Sequence, residues 1–177
     1  AYLTYASTKD YYLASTASDL ALDPYGLIEM PGLASEPMFF AGMFEKYGIG
    51  VQVTRVGKSK SAIEPFTRTD MSPENRLQTQ QLLDDVWANL TSAIEQARHL
   101  EPGALQKIVD QKGLIRAEDA KKFKLVDRVA YQDEILAELK GETGRGGSDR
   151  PFKQIALADY ARLVNKGGRV PRRSNDG

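Results

Sequence analysis

Val51-Gln52-Val53-Thr54-Arg55-Val56, then Gly57-Lys58-Ser59-Lys60-Ser61-Ala62-Ile63-Glu64-Pro65-Phe66, then Asp70-Met71-Ser72-Pro73-Glu74, take the chain from an extended run, through a turn, into a helix. Residues 51–56 alternate β-branched and polar side chains, which predicts a strand. Ser72 reads as an N-cap, Pro73 as the first helical residue and Glu74 as an acid facing the positive helix end. Leu83, Val86, Trp87, Leu90, Ala93, Ile94 and Ala97 then recur at three- and four-residue steps, one apolar stripe with Trp87 expected in the core. The spacing predicts a helix from Pro73 to about Leu100, roughly 40 Å long.

Working outward, 1–6 alternates and reads as a strand, and Ser7-Thr8-Lys9-Asp10 as a polar break. Residues 11–17 predict a short helix, 20–22 a short strand and Asp23-Pro24-Tyr25-Gly26 a turn. Met38, Phe39, Met43 and Phe44 suit a helix over 38–47 that Gly48 would cap. Further helices are expected over 104–110, 117–123, 132–140 and 159–164, with Leu125-Val126 opening a buried element and a strand over 152–157. The four glycines between Gly141 and Arg150 mark a loop. Strands interleaved with helices define an α/β layered fold, and periodicity alone goes no further. Residues 1–164 are expected to form one domain, read as a piece of a longer protein, and 165–177 a linker or disordered tail.

Composition narrows the function. Lys plus Arg is 24 and Asp plus Glu is 24, so there is no basic excess of the kind a nucleic-acid binder carries. The basic tail Lys166, Arg169, Arg172 and Arg173 reads as a solvated linker. The absence of cysteine excludes disulfides and thiolate chemistry. His99, the only histidine, precludes a multi-histidine metal site, and its place near a helix end suits a structural role. No metal or cofactor is expected. No apolar run approaches the ~20 residues that span a bilayer.

The stretch Arg55–Phe66, with Asp70-Met71-Ser72-Pro73-Glu74 after it, resembles the signal peptide peptidase A family. Tyr11-Tyr12-Leu13-Ala14-Ser15, Ala117-Glu118-Asp119-Ala120 and Leu125-Val126-Asp127 extend the resemblance to about residue 164. It implies a ClpP/crotonase-like layered fold with a long helix after the lysine segment. It also implies a Ser/Lys-dyad serine peptidase that degrades short hydrophobic peptides, such as cleaved signal peptides. The long form of the family has two homologous halves, the first supplying a lysine general base and the second the nucleophilic serine. This chain resembles the first half. Lys60, immediately before Ser61-Ala62, matches the catalytic lysine, whereas Lys58 falls where the family tolerates other residues. Thr8 matches the serine position, but Ser7-Thr8-Lys9-Asp10 lacks the glycines of the catalytic turn, so Thr8 reads as a relic. The implied partners are peptide substrates, a homologous serine-bearing domain and further copies of the chain, with no nucleic acid. The implied location is membrane-associated, in the cell envelope.

The chemistry constrains Lys60. An amine of pKa ~10.4 accepts a serine proton at neutral pH only if burial disfavours its ammonium form. The nearest acid in sequence, Glu64, must therefore point elsewhere. Ser59 and Ser61 are candidates to hydrogen-bond the amine, while Gly32 and Gly57 read as turn residues. Spacing alone would leave both lysines as solvated strand-end positions; the resemblance selects Lys60. A crotonase-type acyl-CoA enzyme and a non-catalytic assembly domain of the same fold remain as alternatives.

Overall fold

Tyr2–Ser7 forms β1 and Ala21–Glu29 forms β2, and helix α1, Thr8–Ala14, crosses between them. The computed structural model describes residues 1–52, 61–147 and 149–165. β1 and β2 run parallel, with Tyr2 opposite Ala21 and Ser7 opposite Glu29, a pairing that needs a crossover connection. The polar break after β1 is the helix start: Ser7 is the N-cap of α1 and closes a capping box with Asp10. Helix formation therefore begins three residues before the first apolar position of the expected 11–17 helix.

Asp23-Pro24-Tyr25-Gly26 does not form the expected turn but lies inside β2. The register shifts across it, Leu3 pairing with Leu22 and Tyr5 with Leu27, so the extra residues are taken up as a bulge. Gly26 permits this close passage. A Cβ there would lie 2.8 Å from the Thr4 carbonyl oxygen and 2.9 Å from that of Asp23, neither of which can move as a side chain would. β3, Leu114–Arg116, pairs antiparallel with the end of β2, and β4, Arg128–Val129, pairs parallel with its start. β1 occupies one edge of β2, so β3 and β4 share the other. β3 is three residues long, too short to show a period in the sequence.

The helices of this unit are α2 (Ala41–Lys46), α3 (Glu64–Thr67), α4 (Pro73–Ala97), α5 (Ala104–Gln111) and α6 (Ala117–Lys122), with a 3-10 turn at Ser61–Ile63. α2 is shorter than expected, but Gly48 ends it as predicted, at φ +67, with the bonds Gly48 N to Glu45 O (3.2 Å) and Ile49 N to Phe44 O (2.8 Å) of a left-handed cap. Of the strand expected over 51–56, Val51 and Gln52 lie in no regular element and the rest lies outside the described residues. α4 begins as read: Ser72 Oγ accepts from Asn75 N at 3.2 Å, and Pro73 opens the helix. Its end falls at Ala97 rather than Leu100 because His99 turns left-handed (φ +54), with Leu100 N bonding Glu95 O at 2.8 Å.

The core gathers Ala6, Tyr11, Leu20, Leu22, Ile28, Met30, Ile94, Leu105, Ile115, Ala120 and Leu125 around β2. α4 joins it through its C-terminal half. Trp87 is not a full core residue; it is half-buried at the margin, its indole N–H donating to Gln106 at 2.5 Å. The N-terminal half exposes Leu77 (70%) and Leu82 (63%).

Asp127 ties three elements together. It takes both guanidinium nitrogens of Arg98, at 2.6 and 3.1 Å, and the Leu20 N–H at 2.7 Å. Arg98 first, and the Leu20 N–H with it, hold its carboxyl below the usual aspartate range. A lowered folded-state pKa adds stability that is complete above the unfolded value of ~3.9 and is lost as pH falls through the folded value. Urea melts should therefore show Asp127→Asn less stable than wild type at about pH 7, with the gap closing by about pH 2. A gap that stayed constant with pH would contradict this linkage.

Ala130 opens a second compact unit. In it α7 runs over Gln132–Glu142, with Tyr131 N bonding Glu134 at 2.8 Å, and α8 runs over Leu157–Asn165. The segment expected as a strand over 152–157 forms none, and Leu157 instead starts α8. Residues 166–177 of the expected linker lie outside the described residues.

Candidate functional site

Parallel α/β sheets present their chemistry beyond the carboxyl ends of the strands. Here β1 and β2 end side by side at Ser7 and Glu29, and α1 starts at the same point. Ser7, Thr8, Lys9 and Asp10 fill this junction. Ser7 Oγ donates to Asp10 Oδ2 at 2.6 Å, and Ser7 N reaches the same carboxylate at 3.1 Å. These bonds hold the Asp10 carboxyl below its usual range. Thr8 Oγ1 donates to the Glu29 carbonyl at 3.1 Å. The Tyr5 hydroxyl bonds the Glu29 carboxylate, which raises the phenol pKa. Each hydroxyl thus spends its proton on a neighbouring oxygen. A nucleophilic hydroxyl needs instead a base to take that proton and free amides to receive the oxyanion. Asp10 occupies the Ser7 amide and hydroxyl together.

The catalytic-lysine candidate Lys60 lies outside the described residues, as do Gly57, Lys58 and Ser59. Ser61 opens the 3-10 turn that follows. Gly32 stands at φ +89, in keeping with a turn residue. The residue that sequence reasoning left without a destination is Glu64. It is 6% exposed, and its carboxylate accepts from Ser72 N (3.2 Å), Asn75 Nδ2 (2.9 Å) and the Ser72 hydroxyl. The Ser72 hydroxyl first, then Asn75, keeps the carboxyl below its usual range. The Glu64 carboxylate thus bonds the N-cap and the first turn of α4. Its partners lie eight and eleven residues downstream, spacings that no single helix or strand period signals.

The distant segments that carry the resemblance meet in the core. The Tyr11 hydroxyl donates to Leu125 O at 2.6 Å, and burial raises its pKa. Arg98, His99, Lys121, Lys124 and Asp127 line a cleft of about 560 Å3 where α4 and α6 end. Around it Lys121 Nζ donates to Asp127 O, and Arg98 Nε reaches Lys124 O at 3.5 Å, both acceptors lying in the segment after α6. Among the described residues there is no cluster of side chains able to hold a metal ion, and no helix long and apolar enough to cross a membrane.

The parallel β1–α1–β2 unit, with antiparallel β3 beside it, makes this a mixed-sheet α/β arrangement. The model of peptidase family S49 matches residues 1–144, and the chain belongs to that family. It is 30% identical over 162 residues to Protease 4 of Salmonella typhi, and 32% identical over 167 residues to Protease 4 of Haemophilus influenzae. It is 31% identical over 159 residues to the chloroplastic serine protease SPPA of Arabidopsis thaliana. These matches take in 88%, 90% and 90% of this chain but 26%, 27% and 23% of the relatives, so the chain spans about a quarter of their length.

Proposed function

We propose that this chain is the lysine-bearing part of a Ser/Lys-dyad serine peptidase, with Lys60 as general base and the nucleophilic serine supplied by a second domain or chain. The observation that carries this reading is the β1–α1 junction. Thr8 stands where a nucleophile belongs, yet its proton goes to Glu29 O and the turn is closed by Asp10. The Lys60-Ser61-Ala62 segment remains as the chemically useful feature. Membership of a peptidase family and relatives named as proteases favour this over an acyl-CoA enzyme or a purely architectural domain.

The fold proposed is the ClpP/crotonase-like layer, with residues 1–164 as one domain and 165–177 as a linker. The parallel strands and crossing helix support that choice. The substrates proposed are short hydrophobic peptides, in the cell envelope near a membrane. Further copies of the chain are the proposed partners, which the exposed Leu77 and Leu82 of α4 would help to bind.

The test is activity of this chain by itself. Incubated with a fluorogenic hydrophobic peptide, it should give no turnover, and a fluorophosphonate probe should label neither Ser7 nor Thr8. Labelling at either residue would overturn the half-site reading.

A further inference from the structure

We propose that the cleft where α4 and α6 end is a binding site for a small phosphate-bearing anion, separate from the β1–α1 junction and independent of the dyad reading. Ser18 ahead of β2, Arg98 and His99 after α4, and Lys121, Lys124 and Asp127 at and after α6 line it. Its volume of about 560 Å3 falls in the ~300–1,000 Å3 range of small-molecule pockets. It sits ahead of the start of β2 at Ala21, whereas the junction lies where β2 ends, at Glu29.

The charge of the cleft is one-sided. Arg98, Lys121 and Lys124 are three permanent cations, against the single carboxylate of Asp127, which Arg98 already binds through two nitrogens. Lys121 gives its proton to the neutral Asp127 carbonyl, so its charge stays uncompensated. The side chains of Lys124, His99 and Ser18 have no partner among the described residues. The negative ends of α4 and α6 oppose an anion, but their last carbonyls are taken: Glu95 O by Leu100 N at 2.8 Å, and Ala120 O by Leu125 N at 2.8 Å.

Backbone strain marks the same place. Among the described residues, the left-handed positions held by a residue other than glycine are His99 (φ +54) and Lys124 (φ +60), and both line this cleft. Each follows a helix end, where glycine takes that conformation without cost. A cation near a helix end recovers part of the strain. Two strained residues converging on one cleft, each carrying a nitrogen where glycine would fold more easily, fit a site that needs the side chains. Compact ammonium groups and a free hydroxyl suit a phosphate group, which offers several acceptor oxygens and a high charge.

The test is isothermal titration of the full-length protein with inorganic phosphate and with glycerol 3-phosphate, each compared with chloride at equal ionic strength. Phosphate should bind with a Kd of about 1 mM. Lys124→Ala should weaken binding by about ten-fold or more, and Ser18→Ala by a few-fold, with peptide turnover in phosphate-free buffer unchanged in both. Lys107→Ala removes an exposed lysine of α5 outside the cleft and should bind as wild type. Lys124→Gly removes the cation and the strain together; it should melt above wild type in chloride and bind phosphate as weakly as Lys124→Ala. Tighter binding of the ester assigns the site to a phosphomonoester, and tighter binding of the free ion to phosphate itself; either supports the site. No binding beyond that of chloride, full binding by Lys124→Ala, or an equal loss in Lys107→Ala would overturn the inference. A Lys124→Gly that melts below wild type would assign the lysine to the helix end alone and overturn it too.

Discussion

Lys60→Ala in the full-length protein is expected to abolish peptide turnover while the fold survives. A serine hydroxyl is a poor nucleophile until a base takes its proton, and the proposed base is this amine. Removing a general base typically costs 10²–10⁴-fold, more where base and nucleophile act as a unit. Lys58→Ala should keep most activity. Two residues along an extended segment is a displacement of about 6–7 Å, beyond hydrogen-bond reach of the same hydroxyl. Melting temperatures separate chemistry from folding: Lys60→Ala should melt at or slightly above wild type, since a desolvated amine is a cost to the native state. Paired assays of turnover and melting decide it. A dead Lys58→Ala beside an active Lys60→Ala would put the register two residues out, and two active variants would end the dyad proposal.

The largest stability loss is expected at Glu95→Ala. Glu95 lies in the last turns of α4 and is 7% exposed. Its two carboxylate oxygens accept from Gly103 N at 3.0 Å and Leu105 N at 2.8 Å. Those amides are orphans at the start of α5, whose N-cap is Gly103 and has no side chain to cap it. Glu95 supplies the cap from another helix. Alanine would leave a buried amide at Leu105 with no acceptor, and a hydrogen bond to a charged group is worth about 1.5–3 kcal/mol. We expect about 3 kcal/mol in all from chemical denaturation, with Glu95→Gln intermediate because it retains one good acceptor. A loss below about 0.5 kcal/mol, the range of an ordinary surface substitution, would contradict the capping role.

The Lys60 segment was read from contiguous residues, where a resemblance is easiest to see. Glu95 was missed, because its partners lie across the turn between two helices and nothing local marks an acid as a cap for a helix it does not belong to. Glu64 was half legible: the chemistry required it to avoid Lys60, but its destination was set by partners brought near only on folding. Asp23–Gly26 was misread for a related reason. Asp-Pro and Tyr-Gly are turn signals locally, and it is pairing with β1 on one side and β4 near the strand start that draws them into a bulged strand.

By itself the sequence determined what depends on neighbours along the chain. That covers the start of α4 at Ser72-Pro73, the cap at Gly48, the α/β alternation, the absence of thiol and multi-histidine chemistry, and the family. These follow from backbone propensity, side-chain inventory and short motifs. Only the tertiary structure decided that α1 begins at Thr8 with its junction closed, that Glu64 and Glu95 serve other helices, and that Tyr11 and Leu125 meet. The physical reason is one of range. A buried polar group must find a partner wherever folding supplies it, and residues far apart in the chain become neighbours only through the packing that buries them.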